Sequence, residues 1–176
     1  GDESYLLARK LDGVPVVVSK NRYQAGQSVQ NDYSDPIIYL LDDGYQHLQL
    51  QRNFNVLLLD ATDPFGGNQL LPLGRLREST RGLKRADAII ITRAHIPFEM
   101  EAVNQHIRKW NSSAPITFFH HDVTLMYDLK TGEPRPIRGF LGKAVIALAA
   151  IGNPRVFLGD LEHYQMQIQE RFIFRD

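Results

Sequence analysis

Two adjacent carboxylates, Asp42 and Asp43, close the apolar run Ile37-Ile38-Tyr39-Leu40-Leu41 and are followed by Gly44-Tyr45-Gln46-His47. Hard cations such as Mg²⁺ take oxygen ligands, and a carboxylate pair at a chain reversal is one way to present them. A bounded apolar run of this length predicts a strand buried on both faces of a parallel sheet. In open α/β sheets, ligands gather beyond the carboxyl ends of such strands, where Asp42 and Asp43 would stand. The plainer reading is a solvated strand end. Gln46 and His47, just past the Gly44 turn, add polar groups beside the carboxylates. A lone histidine near a loop is more often a surface residue than a working one.

A second group lies further on. Arg75, Arg77, Glu78 and Arg81 follow the loop Asp63-Pro64-Phe65-Gly66-Gly67-Asn68, with Leu70, Leu71, Leu73 and Leu76 between them. Arginine's planar fork suits phosphate, and a loop both greasy and cationic suits an amphiphile or a membrane surface. Core packing and a solvated helix start are the ordinary alternatives. His120-His121-Asp122 resembles a metal cluster, but neighbours on a strand point to opposite faces, so these are read as structural. Asp60 and Asp87 also follow apolar runs, without evident partners. Four apolar residues and then Asp, as at Asp42, is the form of the second phosphate-site motif of P-loop nucleoside triphosphatases. The phosphate-cradling motif G-x-x-x-x-G-K-[ST] occurs nowhere in the chain.

The elements that must position these residues follow from the pattern. A short helix is expected over residues 3–11, stopped by Asp12-Gly13. A buried strand is expected at Val14–Ser19, a weakly amphipathic helix at Arg22–Asn31, and then the Ile37–Leu41 strand. Phe54–Ala61 and Ala88–Thr92 are further apolar strands, with a brief helix capped by Ser79 or Thr80 running to Arg85 between them. Pro97–Asn111 is the clearest helix, with Met100, Val103, Ile107 and Trp110 on one face. Ile116–Phe119 is a short strand. Strands alternating with helices predict an α/β fold with a mostly parallel sheet and flanking helices. Beyond it, Asp122–Asp128 and Pro134–Gly139 flank Lys130-Thr131-Gly132-Glu133 as a β-hairpin. Ala144–Ile151 is another strand. Asn153-Pro154 starts a helix whose apolar face carries Phe157, Leu161, Tyr164 and Ile168. Phe172–Asp176 closes the chain as an apolar strand. The expected division is a core over 1–120, a hairpin linker over 121–140 and a partial C-terminal lobe over 141–176.

Composition sets bounds. At 176 residues, with 43% apolar and 23% charged, the chain can bury a real core. Twenty basic and twenty acidic residues cancel, so no global field draws in nucleic acid or an anionic membrane. The absence of cysteine excludes disulfides and thiolate metal sites. The longest strongly apolar stretch, Ala144 to Ile151, is too short to span a bilayer.

Taken together, Gly1-Asp2-Glu3, Pro15-Val16-Val17-Val18 with Lys20 and Arg22, Leu41-Asp42-Asp43-Gly44-Tyr45-Gln46-His47 and Leu70-Leu71-Pro72-Leu73-Gly74-Arg75-Leu76-Arg77-Glu78 resemble the tetraacyldisaccharide 4'-kinase family. Ala149-Ala150-Ile151-Gly152-Asn153-Pro154 with Phe157 looks like that family's C-terminal A-x-x-I-G-x-P segment. The resemblance implies a P-loop kinase fold and ATP-dependent, Mg²⁺-assisted phosphorylation of the 4'-hydroxyl of a tetraacylated disaccharide 1-phosphate in lipid A assembly. It implies work at the cytoplasmic face of a bacterial inner membrane, with the lipid disaccharide and the membrane surface as partners. By position, Asp42 and Asp43 would organise Mg²⁺, with Gln46 and His47 beside them. Asp2 would be the general base, and Arg77 and Glu78 would meet the lipid head group. The family's phosphate loop, which would bind ATP, lies upstream of the segments matched here, and a histidine expected after F-x-D would follow Asp176. The chain is therefore expected to be a fragment, inactive alone. Arg75 and Ser79 stand where the family often has proline, changes that affect loop stiffness more than chemistry. The other class open to this sequence is a non-catalytic nucleotide-switch or binding domain on the same scaffold.

Overall fold

The computed structural model describes residues 2–175; Gly1 of the G-D-E segment and Asp176 of the closing F-x-D lie outside the described residues. The chain forms two compact units, residues 1–120 and 121–176.

In the first unit, β1 (Val56–Asp60), β2 (Ala88–Thr92) and β3 (Ile116–Phe118) make a parallel sheet in that order, with β2 central. Leu58 pairs with Ile90, and Ile90 with Thr117. The parallel sheet expected from the alternating pattern is present. Its β2–β3 crossover is α3 (Met100–Trp110), which buries Val103 and Ile107. These meet Leu59, Leu83, Ile89 and Ile91 in one core, with Ile89 and Ile107 fully buried. The helix is shorter than the expected 97–111, and Met100 is largely exposed rather than part of the packed face. Between β1 and β2, Thr80–Arg85 is a 3₁₀ helix; Ser79 precedes it without a side-chain cap.

Two expected strands are not strands. Val14–Ser19 and Ile37–Leu41 form no ladder among the described residues, and Ile38 and Leu40 are 88% and 92% exposed. Apolar, β-branched runs supply the propensity for a strand, but a strand exists only through cross-strand bonds and paired side chains. The described partner of β1 is β2 alone, so neither run is paired. The run at 37–41 is instead tied to α2 (Arg22–Asn31) by the Tyr39 hydroxyl, which bonds Gly26 O and Gln30 Oε1 at 3.0 and 3.1 Å. Both α1 (Asp2–Lys10) and α2 lie where helices were expected, and neither buries a residue.

In the second unit, β4 (Leu125–Tyr127) and β5 (Pro134–Pro136) form the expected antiparallel hairpin. Asp128 Oδ1 accepts from the amides of Lys130 and Thr131 and fixes its loop. Then β6 (Ala144–Ala149), α4 (Pro154–His163) and β7 (Gln167–Ile173) form a parallel β-α-β unit. The closing strand sits earlier than Phe172–Asp176, and the helix ends before Tyr164, which caps it, so Ile168 belongs to β7 rather than to a helix face. Among the described residues, no helix is long and apolar enough to cross a membrane.

Candidate functional site

The turn at Asp42-Asp43 is held from three sides. Asp43 adopts a left-handed backbone, φ +46°, which costs a non-glycine residue on the order of 1 kcal/mol. Gly44 is buried against the turn, and a Cβ there would meet Leu41 Cβ at 2.8 Å. Arg22, in the first turn of α2, donates to the backbone carbonyls of Asp42 and Asp43 at 3.1 and 3.3 Å. On the far side, Arg52 Nη1 donates to Gly44 O and His47 O, both at 2.7 Å. The D-D-G-Y-Q-H segment is thus a clamped reversal rather than the mouth of a buried strand.

The second loop meets this turn. Arg77 Nη1 reaches both carboxylate oxygens of Asp43 at 2.6 Å. The two side chains are 59% and 63% exposed, so the pair contributes only about 0–1 kcal/mol to stability. That barely offsets the left-handed backbone at Asp43. Backbone strain that folding does not need is a pointer to function. One residue on, Glu78 Oε1 accepts from Gln46 Nε2 at 3.0 Å and from Arg85 Nη2 at 2.6 Å. Arg85 also stacks over the Tyr45 ring, 4.8 Å from its centroid. The Tyr45 hydroxyl donates to Gly82 O at 2.8 Å; burial raises the phenol above its ordinary value despite Arg85, so it remains a donor. A Cβ on Gly82 would meet Glu78 Oε2 at 2.5 Å, so a side chain there would push the Glu78 carboxylate out of its place. Two pairs of residues far apart in sequence, Tyr45-Gln46 and Glu78 with Arg85, therefore lock the turn to the 3₁₀ helix.

Glu78 gives this lock a pH dependence. Burial alone would raise its carboxyl, but the bonds from Arg85 and Gln46 outweigh it and hold it below the usual range. A depressed folded-state value means stability present above the unfolded carboxyl value and lost as pH falls through the folded one. Replacing Glu78 with glutamine should lower unfolding free energy at pH 7 by about 1–2 kcal/mol. It should also flatten the acid loss below about pH 4.3, read by urea titration across pH.

Between the two loops opens a cleft of about 270 Å³ lined by Gln46, Asp60, Phe65, Arg75, Arg77 and Glu78 among others. Asp60, at the carboxyl end of β1, was expected to lack partners; the structure corrects this. Its carboxylate accepts from Thr62 N at 3.0 Å and Thr62 Oγ1 at 2.7 Å, and it pairs with Arg93. Burial pushes the Asp60 carboxyl up, and Thr62 with Arg93 more than reverses this, so the group stays ionised. Asp87 is also engaged, accepting from the Asn55 amide at 2.8 Å. Sequence reasoning also passed over Arg52 and Arg85. Arg52 stands five residues after His47, a spacing that no motif marks, and Arg85 acts through a fold contact.

Of the residues singled out from sequence, the structure brings together Asp43 with Arg77 and Gln46 with Glu78. His47 joins the turn through its backbone, its amide donating to Gly44 O at 3.0 Å. Asp42 is exposed at the tip, and Asp2 is exposed in the first turn of α1. His95 and His120 approach edge to face at 6.1 Å. Among the described residues, no group of three His, Cys, Asp or Glu converges to hold a metal. Asp42 and Asp43 supply carboxylate oxygens of the kind that Mg²⁺ takes beside phosphate oxygens and water. Of the two, Asp42 is exposed, while both oxygens of Asp43 are held by Arg77.

A family profile described as Tetraacyldisaccharide-1-P 4'-kinase matches residues 1–176. The chain belongs to that family. It is 35% identical to the tetraacyldisaccharide 4'-kinase of Halothermothrix orenii and 34% identical to that of Geobacter metallireducens. All of the chain is covered in both comparisons, against 48% and 49% of those relatives. The chain thus spans about half the length of the curated relatives it matches. A crystal structure of the "apo" form of LpxK from Aquifex aeolicus in complex with ATP is similar at a TM-score of 0.72 and 32% identity, over 100% of this chain and 52% of that one. The α/β kinase fold expected from the sequence is thereby established for this chain.

Proposed function

We propose that the chain carries the metal and acceptor side of a lipid kinase site that transfers the γ-phosphoryl group of ATP to the 4'-hydroxyl of a tetraacylated disaccharide 1-phosphate. The observation that supports this best is the Asp43–Arg77 pair, which joins the family's two most distinctive segments at one edge of the cleft. Phosphoryl transfer asks a protein mainly for positioning and charge stabilisation, and a strained, clamped turn bearing two carboxylates suits that task. Asp42 and Asp43 would hold Mg²⁺, which when bound neutralises charge on the phosphate oxygens. Asp2 would accept the proton of the attacking 4'-hydroxyl as the bond from that oxygen to phosphorus forms and ADP departs. Arg77 would present its outer face to the lipid head group while Asp43 fixes its inner face. Glu78, already engaged by Gln46 and Arg85, would shape the head-group pocket rather than contact the lipid directly. His47 would sit beside the carboxylates as a further polar group. The cytoplasmic face of a bacterial inner membrane would be the place of work.

Steady-state kinetics of the protein at its native length test this reading. Replacing Arg77 with alanine should raise KM for the lipid disaccharide about tenfold, the equivalent of one charged hydrogen bond, and leave KM for ATP unchanged. An unchanged lipid KM with a raised ATP KM would refute the head-group role. A protein that binds ATP but transfers nothing to the disaccharide would support a nucleotide-switch domain instead.

A further inference from the structure

The 3₁₀ helix Thr80–Arg85 has two working sides. Thr80, Gly82 and Leu83 line the cleft, and Arg85 reaches Glu78. Arg81 and Lys84 turn the other way, onto α3. There the guanidinium of Arg81 and the ammonium groups of Lys84 and Lys109 lie 5.7, 5.4 and 5.6 Å from the Trp110 ring centroid. Trp110 is half-buried and packs against the core, so the ring is a fixed platform. All three cations are exposed, and none forms an ion pair with a carboxylate among the described residues. Asp87, close by in sequence, holds the Asn55 amide instead.

Three like charges gathered on one ring repel each other, and an aromatic face compensates for only part of that. What completes such a patch is an external anion. We propose that Trp110 with Arg81, Lys84 and Lys109 is a docking patch for the anionic head groups of a lipid bilayer. The choice of a lipid surface rests on the lipid-kinase reading above and on the make-up of the patch itself. A tryptophan with one edge in protein and the other in a cationic rim suits the membrane–water interface, where its amphipathic ring is favoured. Because the 3₁₀ helix also borders the cleft, docking here would set the cleft at the membrane surface, where an acylated acceptor resides.

Trp110 is the chain's one tryptophan, so its fluorescence reports the patch directly. The chain is titrated with vesicles of phosphatidylcholine alone and of phosphatidylcholine mixed with phosphatidylglycerol. Neither contains the disaccharide, so the result does not depend on whether the protein phosphorylates that substrate. The expected result is a blue-shifted emission, quenched by brominated acyl chains, with the anionic vesicles only, and released by added salt. Each of Arg81→Ala, Lys84→Ala and Lys109→Ala should weaken partitioning about fivefold, and the triple variant on the order of a hundredfold. Should the triple variant not fold, the salt release and brominated-lipid quenching of the unmodified chain carry the test. Unshifted emission with anionic vesicles, equal partitioning of a folded triple variant, or tighter binding to a single-stranded oligonucleotide than to the vesicles overturns the proposal.

Discussion

Alanine at Asp42 or Asp43, in the protein at its native length, should lower kcat for 4'-phosphorylation of the lipid disaccharide by about 10²–10³. Folding should lose no more than about 1–2 kcal/mol, the larger loss at Asp43, where alanine suits the left-handed backbone less well. Asp42 is exposed, and the Asp43–Arg77 pair is too solvated to contribute more than about 1 kcal/mol. A large kinetic effect with a small stability effect marks a group whose charge is used in the reaction. Asp43→Asn separates the two contributions of that residue. Asparagine tolerates the left-handed backbone, so the turn keeps its shape while the charge is lost. Asn at 43 should therefore unfold like the parent and turn over like the alanine variant. If both alanine variants keep full kcat, the carboxylates serve only to shape the turn.

A second substitution should act on the fold. Asn111, 7% exposed, ends α3 and ties three elements together. Its Nδ2 donates to Leu83 O at 2.9 Å and Ala86 O at 2.8 Å, and its Oδ1 accepts from the amides of Ser113 and Ala114 at 3.3 and 2.9 Å. Leucine matches its length but can make none of these bonds. Ala86 O and the buried Ala114 amide would lose their partner, at about 1–3 kcal/mol for each group left unpaired, whereas Leu83 O keeps its bond from the Ala86 amide. We expect Asn111→Leu to lower unfolding free energy by about 3–4 kcal/mol, read by urea denaturation. The lost bonds also anchor the 3₁₀ helix that carries Gly82 and Arg85, so Tyr45 and Glu78 should loosen with it. A loss under about 1 kcal/mol would mean that the carbonyls find water and that Asn111 is no keystone.

Much of this was legible in the chain. The β-branched run Ala88–Thr92 is a strand end to end, because it is central and paired on both sides. The α3 face at Val103 and Ile107 followed from its period, whereas Met100 sits in the first turn of the helix and is left exposed. Periodicity reports what a segment can bury; it does not report what is there to bury it. The same limit explains Val14–Ser19 and Ile37–Leu41, strand-like in sequence and unpaired in the structure.

The site was legible as two motifs but not as one object. Asp42-Asp43-Gly44 announced a reversal with carboxylates, and Arg77-Glu78 announced a charged loop end. Nothing local said that Asp43 would meet Arg77, or that Glu78 would be spent on Gln46, because those contacts join residues about thirty positions apart. Asp60 was passed over for a related reason. Its partner Arg93 comes from the adjoining strand's end, where the parallel register sets Asp60 beside Thr92.

We propose that Asp43 and Arg77 act as one unit at the acceptor side of the site. A double-mutant cycle of Asp43→Ala and Arg77→Ala, read as kcat/KM for the lipid disaccharide, tests it most directly. Arg77→Ala, costing about tenfold in the parent, should cost less than about threefold once Asp43 is already alanine. Equal costs in the two backgrounds would mean that the contact between the two motifs has no part in catalysis.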